Sequence, residues 1–148
     1  MSKTIEDISN LIFDYYPSVR KTFRNLVTIK GIPISMTQLT CLNIIAKNDR
    51  LTMSELADSL NMSNQQLTKV VDGLVEFKMV NRVFDEKNRR KIYAEATELG
   101  KQTLIKLRKE IDLKLGRWLH KISDDEVDTL YESVAHIAGY FGYEGDKQ

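Results

Sequence analysis

Residues 51–97 read LTMSELADSLNMSNQQLTKVVDGLVEFKMVNRVFDEKNRRKIYAEAT, and the fold turns on how this stretch is parsed. Thr52-Met53-Ser54-Glu55 has capping-box spacing, a Thr at the helix cap with Glu three residues later. The helix it opens carries Leu56, Ala57 and Leu60. Asn61 follows, a residue that tolerates left-handed backbone angles and suits a tight turn. Ser63 caps a second helix with Leu67, Val70, Val71 and Leu74 on one face and Asn64, Gln65, Thr68, Lys69 and Asp72 on the other. From residue 80 to 96 the pattern becomes shorter and more β-branched, predicting strands over 80–84 and 91–96 around the tip Lys87-Asn88-Arg89-Arg90-Lys91. A hairpin is marginal alone, so it must lean on the helices.

The flanks are helical. Ile5, Ile8, Ile12, Tyr15, Val19, Phe23 and Leu26 recur at spacings of three and four, with Pro17 predicting a kink or restart. Gly31-Ile32-Pro33 ends that segment, and Thr37 is the expected cap of a helix carrying Leu39, Leu42, Ile45 and Ala46. Thr97 caps a long helix with Leu104, Leu107, Ile111, Leu115, Trp118 and Ile122 on one stripe. Ser123-Asp124-Asp125-Glu126 opens another, with Val127, Leu130, Val134, Ile137 and Phe141. The prediction is one unit over 1–148, mainly α with a small β-hairpin wing. It is a winged helix–turn–helix at 35–97 with dimerisation helices at 1–32 and 98–148. A two-fold dimer buries the terminal stripes; an intramolecular bundle is the alternative.

Composition narrows the class. A chain of 148 residues, 42% hydrophobic and 29% charged, supports a real core and is too apolar for disorder. Net charge is only +1, but it is unevenly spread. Residues 61–91 hold seven Lys/Arg against four Asp/Glu, whereas 123–148 hold one Lys against seven Asp/Glu. Potential is thus focused at the middle of the chain. A single cysteine forms no internal disulfide, and no apolar run suggests a signal peptide or a bilayer span. A cytoplasmic protein with no membrane partner is expected.

A recognition helix beside a basic wing suits double-stranded DNA. Asn and Gln side chains carry paired donors and acceptors that match adenine edges, which makes Asn64, Gln65 and Gln66 candidates for base reading. Thr68, Lys69 and the backbone at Ser63 are candidate phosphate contacts. Lys87, Arg89 and Arg90 are placed to reach an adjacent minor groove.

The run from Leu51 to Ala57, the run from Leu67 to Leu74, the wing Asp85-Glu86-Lys87-Asn88-Arg89-Arg90 and Thr97-Glu98-Leu99-Gly100 together resemble the MarR family, the multiple-antibiotic-resistance-type regulators. The motif region is about a third of the chain, and the helix order extends the likeness to nearly all of it. The resemblance implies a homodimeric bacterial transcription regulator, often a ligand-responsive repressor, on a pseudo-palindromic operator. It puts Arg90 in the place of the wing arginine that enters the minor groove. It also implies release of DNA by a small phenolic or lipophilic effector, or by oxidation of a cysteine. Two positions depart from the family pattern. Asn88 stands where Asp is usual, which weakens the expected brace on the wing arginine. Lys78 stands where Gly usually ends the recognition helix, so it must accept a left-handed conformation or end the helix differently.

Other signals carry less. Cys41 lies near the apolar face of its helix, where a thiol is inert, against a redox-sensor alternative. His120 and His136 lack a third ligand for a metal. Tyr15, Tyr16, Trp118, Tyr131, Tyr140 and Tyr143 read as core before they read as the lining of an effector pocket. No catalytic constellation and no cofactor motif is present, so an enzyme is not expected. The rival class is a winged-helix module that binds a protein instead of DNA.

Overall fold

The computed structural model describes residues 3–28 and 30–141. In chain order its elements are α1 (Ile5–Val27), α2 (Met36–Lys47), β1 (Leu51–Thr52), α3 (Met53–Ser59), α4 (Asn64–Glu76), β2 (Val80–Phe84), β3 (Ile92–Ala96), α5 (Glu98–Leu119) and α6 (Asp124–Phe141). The winged helix–turn–helix fold expected from the sequence is the one observed.

The core is local to the middle of the chain. Cys41, Leu42 and Ile45 of α2 meet Leu56 and Ala57 of α3, Leu67, Val71 and Leu74 of α4, and Met79, Val80 and Ala94 from the wing side. Each large side chain buried there contributes about 1.5–3 kcal/mol. This cluster is what makes α4 rigid while its polar face stays wet. The sheet is antiparallel in the order β1-β3-β2, with Leu51 opposite Ala94 and Val83 opposite Tyr93.

Two left-handed residues set the ends of the helix–turn–helix. At Asn61, φ is 50°, and the amides of Asn61 and Met62 donate back to the carbonyls of Asp58 (3.0 Å) and Ala57 (2.9 Å). At Lys78, φ is 58°, and the amides of Lys78 and Met79 donate to Val75 (2.9 Å) and Leu74 (2.9 Å). Both are Schellman endings, which satisfy carbonyls that a helix otherwise leaves unpaired. Lys78 therefore takes the left-handed option.

The wing is locked to α5. The Thr97 hydroxyl donates to the Lys78 carbonyl (2.7 Å) and accepts from the Gly100 amide (3.0 Å) as the cap of α5. Gly100 is buried, and a Cβ on it would fall 2.3 Å from the Met79 carbonyl oxygen. Only glycine permits that approach. Farther along α5, Lys114 Nζ donates to three carbonyls at the end of α1, those of Asn25 (2.9 Å), Leu26 (3.2 Å) and Thr28 (2.7 Å).

Several expectations are corrected. α2 is capped by Ser35, not Thr37: Ser35 and Gln38 form a reciprocal capping box two residues earlier. Pro17 does not restart the helix: α1 continues from Ile5 to Val27 with the proline inside it. The Phe13 carbonyl that loses its partner to the proline lies on an exposed turn where water can serve it. α1 ends at Val27, ahead of Gly31, because Lys114 and the Thr28 hydroxyl take its last carbonyls. β1 is an additional strand, and β3 starts at Ile92, one residue later than expected.

The aromatics Tyr15, Tyr16, Trp118, Tyr131 and Tyr140 are not core of the single chain; all are at least 50% exposed. Tyr143 lies outside the described residues. Ile5, Ile8, Ile12, Val19 and Phe23 of α1 and Val134 and Ile137 of α6 are exposed as well. The terminal helices thus do not close into a bundle within one chain.

Candidate DNA interface

The cap of α4 organises the recognition end. Ser63 Oγ accepts from the Gln66 amide (3.2 Å), while Gln66 Oε1 accepts from the Ser63 amide (3.1 Å) and hydroxyl (3.1 Å). The first helical bond runs from the Leu67 amide to the Ser63 carbonyl (3.0 Å). The amides of Asn64 and Gln65 therefore project from the positive end of the helix, a ready site for phosphate oxygen. Gln66 Oε1 serves the cap, which leaves its NH2 group as the part free to meet a base. Asn64 and Gln65 are exposed, and among the described residues no side-chain bond engages them. The Thr68 hydroxyl donates to the Asn64 carbonyl (2.8 Å), so it can face DNA only as an acceptor. All these side chains and Lys69 share the exposed face of α4.

Arg82, which sequence reasoning passed over, ties β2 to that face. Its Nη1 pairs with Asp72 and its Nη2 reaches the Thr68 carbonyl (3.4 Å). The pair is partly exposed and contributes less than about 1 kcal/mol, but it sets how the wing sits beside α4. Asp72 and Arg82 are ten residues apart on different elements, a relation no local spacing displays.

The wing loop closes with the Asp85 amide donating to the Lys91 carbonyl (3.0 Å). Asp85 Oδ1 accepts from the amides of Lys87 (2.9 Å) and Asn88 (2.8 Å), and Oδ2 accepts from the Tyr93 hydroxyl (3.2 Å). These bonds hold the Asp85 carboxyl below the usual carboxylate range; the Asn88 amide does most, then the Lys87 amide, with smaller help from Tyr93 and the Arg50 charge. Asn88 Oδ1 in turn accepts from the Arg90 amide (3.2 Å). The brace on the wing arginine is thus made to its backbone by a neutral amide. Among the described residues the ion pairs are Arg50–Glu95 and Arg82–Asp72, so Lys87, Arg89 and Arg90 present unpaired, exposed charge.

The nine candidate residues are all exposed and fall into two groups, the N-terminal end and open face of α4 and the wing tip. Cys41 is fully buried in the core, and burial pushes its thiol up to about 11. No group of three or more His, Cys, Asp or Glu side chains gathers into a metal site among the described residues. No described helix is long and apolar enough to cross a membrane.

Comparison with known proteins agrees with this geometry. The HTH-type transcriptional regulator YfiV of Bacillus subtilis is 28% identical over 107 residues, covering 72% of this chain and 67% of that protein. The HTH-type transcriptional repressor YetL of the same organism is 26% identical over 126 residues, covering 85% and 75%. FabT of Streptococcus pneumoniae, solved in complex with DNA, superposes with a TM-score of 0.68 at 16% identity, covering 93% of this chain and 96% of that one. The model of the MarR family matches residues 34–92, the span from the cap of α2 to the start of β3. With its helix order, its sheet and its wing, this chain is similar to the MarR family of winged helix–turn–helix transcriptional regulators, whose model it matches over its middle part.

Proposed function

We propose that this DNA-binding regulator works as a homodimeric, ligand-responsive repressor on a pseudo-palindromic operator. The observation that carries the DNA reading is the pairing of an open polar face on α4 with unpaired cations at the wing tip. In this reading α4 enters the major groove, Gln65 and Asn64 read bases, the amides at its N-terminus and Lys69 hold phosphates, and Arg90 enters the minor groove. YetL, whose name records a repressor, supports the direction of regulation.

The dimer rests on the exposed apolar surface of α1 and α6, where Ile5, Phe13 and Tyr140 are each at least 84% exposed. A second copy would cover such a surface with two-fold symmetry and carry two copies of α4 roughly 34–36 Å apart, one turn of DNA. For the effector, a cavity of about 240 Å³ lies between the end of α1, the start of α2 and Leu107 of α5, lined by Val27, Ile32, Ile34 and Leu39. A small lipophilic molecule there would bias the angle between the arms and the DNA-binding part, and so the spacing of the recognition helices.

The test is selection of bound fragments from a random duplex pool, then titration of the recovered site across salt concentrations. A repeated half-site, and log K falling by about 0.9 per phosphate neutralised, is the expected result. Absence of duplex binding even at low salt would favour the protein-interaction module. Sedimentation should give twice the 17.1 kDa chain mass.

A further inference from the structure

Arg50 and Tyr93 lie outside every residue assigned above to DNA, yet they stand at the root of a continuous chain of contacts that ends at Arg90. The Arg50 guanidinium carbon sits 4.5 Å from the Tyr93 ring centroid, and its Nε donates to Glu95 Oε1 at 3.1 Å. A cation at that distance is attracted to the ring face. Tyr93 is on β3, the central strand, between Thr52 of β1 and Val83 of β2, so its backbone is held by a strand on each side. Its hydroxyl donates to Asp85, Asp85 holds the amides of Lys87 and Asn88, and Asn88 holds the amide of Arg90.

We propose that Tyr93, clamped by Arg50, is a positioning residue for the wing: it holds the Asp85 turn in the shape that aims Arg90, without itself touching DNA. The wing tip has no apolar packing to define it, since residues 86–91 are all exposed. A hydrogen-bonded relay anchored on the middle strand is the device that replaces packing there. Arg50, a cation close to the interface, is by the same geometry a clamp on the ring and not a phosphate contact.

This inference rests on the reading of Arg90 as a DNA contact, and a double-mutant cycle separates the two. Tyr93→Phe removes only the hydroxyl and keeps the ring under Arg50. Binding of a duplex selected from a random pool should weaken about fivefold in the parent and by less than about twofold in the Arg90→Ala background. The salt slope of Tyr93→Phe should equal the parent's, and amide exchange at Lys87 and Asn88 should accelerate. If Arg90→Ala alone leaves affinity unchanged, the wing reading itself fails. If Arg90→Ala weakens binding but Tyr93→Phe costs the same in both backgrounds, the relay is overturned. Arg50→Lys, which keeps the charge and loses the planar stack, should reproduce Tyr93→Phe. A normal affinity for Arg50→Lys, with a salt slope lowered by about 0.9 in Arg50→Gln, would make Arg50 a phosphate contact instead.

Discussion

Replacing Lys78 with glycine isolates one backbone term. Lys78 carries φ of 58° at the end of α4, and its side chain is exposed with no ion-pair partner among the described residues. A non-glycine residue in that conformation costs about 1–2 kcal/mol. Glycine recovers this, but it enlarges the entropy of the unfolded chain by about 0.4–1 kcal/mol. Losing a cation near a helix C-terminus costs about 0.3 kcal/mol more. The Schellman bonds and the bond from Thr97 to the Lys78 carbonyl are made by backbone atoms at this position and survive the change. The net expectation for Lys78→Gly is a gain of about 0.5 kcal/mol, or roughly 2 °C in Tm for a chain of this size. Urea denaturation at fixed protein concentration, with unchanged slope, is the assay. Lys78→Ala is the control, since it removes the charge but keeps the Cβ. If Lys78→Gly proved no more stable than Lys78→Ala, the strain argument would be wrong.

Gly100→Ala should destabilise by about 1–3 kcal/mol, because its Cβ meets the Met79 carbonyl, whereas Gly116→Ala faces open space and should be neutral or stabilising; matched urea melts decide it. Cys41 should resist iodoacetamide in the native protein at neutral pH and react only on unfolding, and peroxide should leave DNA binding by the unsubstituted protein unchanged. Asp85 has a carboxyl lowered in the folded state, so its contribution is fully present above the unfolded value of about 4 and is lost as pH falls through the folded value. Amide exchange at Lys87 and Asn88 should therefore be protected equally at pH 5 and 7 once corrected for intrinsic rates, and Asp85→Ala should abolish that protection at both.

Much of this fold was written in local spacing. Capping boxes at Thr52, Ser63 and Ser123, and the stripes behind them, announce their helices because cap and stripe lie within a few residues of each other. The same logic was available at Ser35 and Gln38, where the later Thr37 drew attention away from a better box. β1 left no pattern, since two residues cannot show an alternation. At the interface the exposed polar face of α4 and the basic tip were legible as residue types. The relay through Arg50, Tyr93 and Asp85 was not, because strand pairing brings Arg50 to Tyr93 across dozens of positions and the hairpin folds Tyr93 back on Asp85. The exposure of Trp118 and the tyrosines escaped for a related reason. An apolar stripe has the same period whether its own chain or another surface covers it.

Lys114 gives α1 the mechanics of a lever. All three protons of one ammonium are committed to the last carbonyls of that helix, and α1 buries none of its own residues in the single chain. With 23 residues, the rod extends about 34 Å from this fulcrum. A rotation of only about 5° there would sweep the far tip by roughly 3 Å, nearly the width of an atom. Anything that neutralises this single nitrogen would thus alter the reach of the whole arm while leaving every side chain on it unchanged.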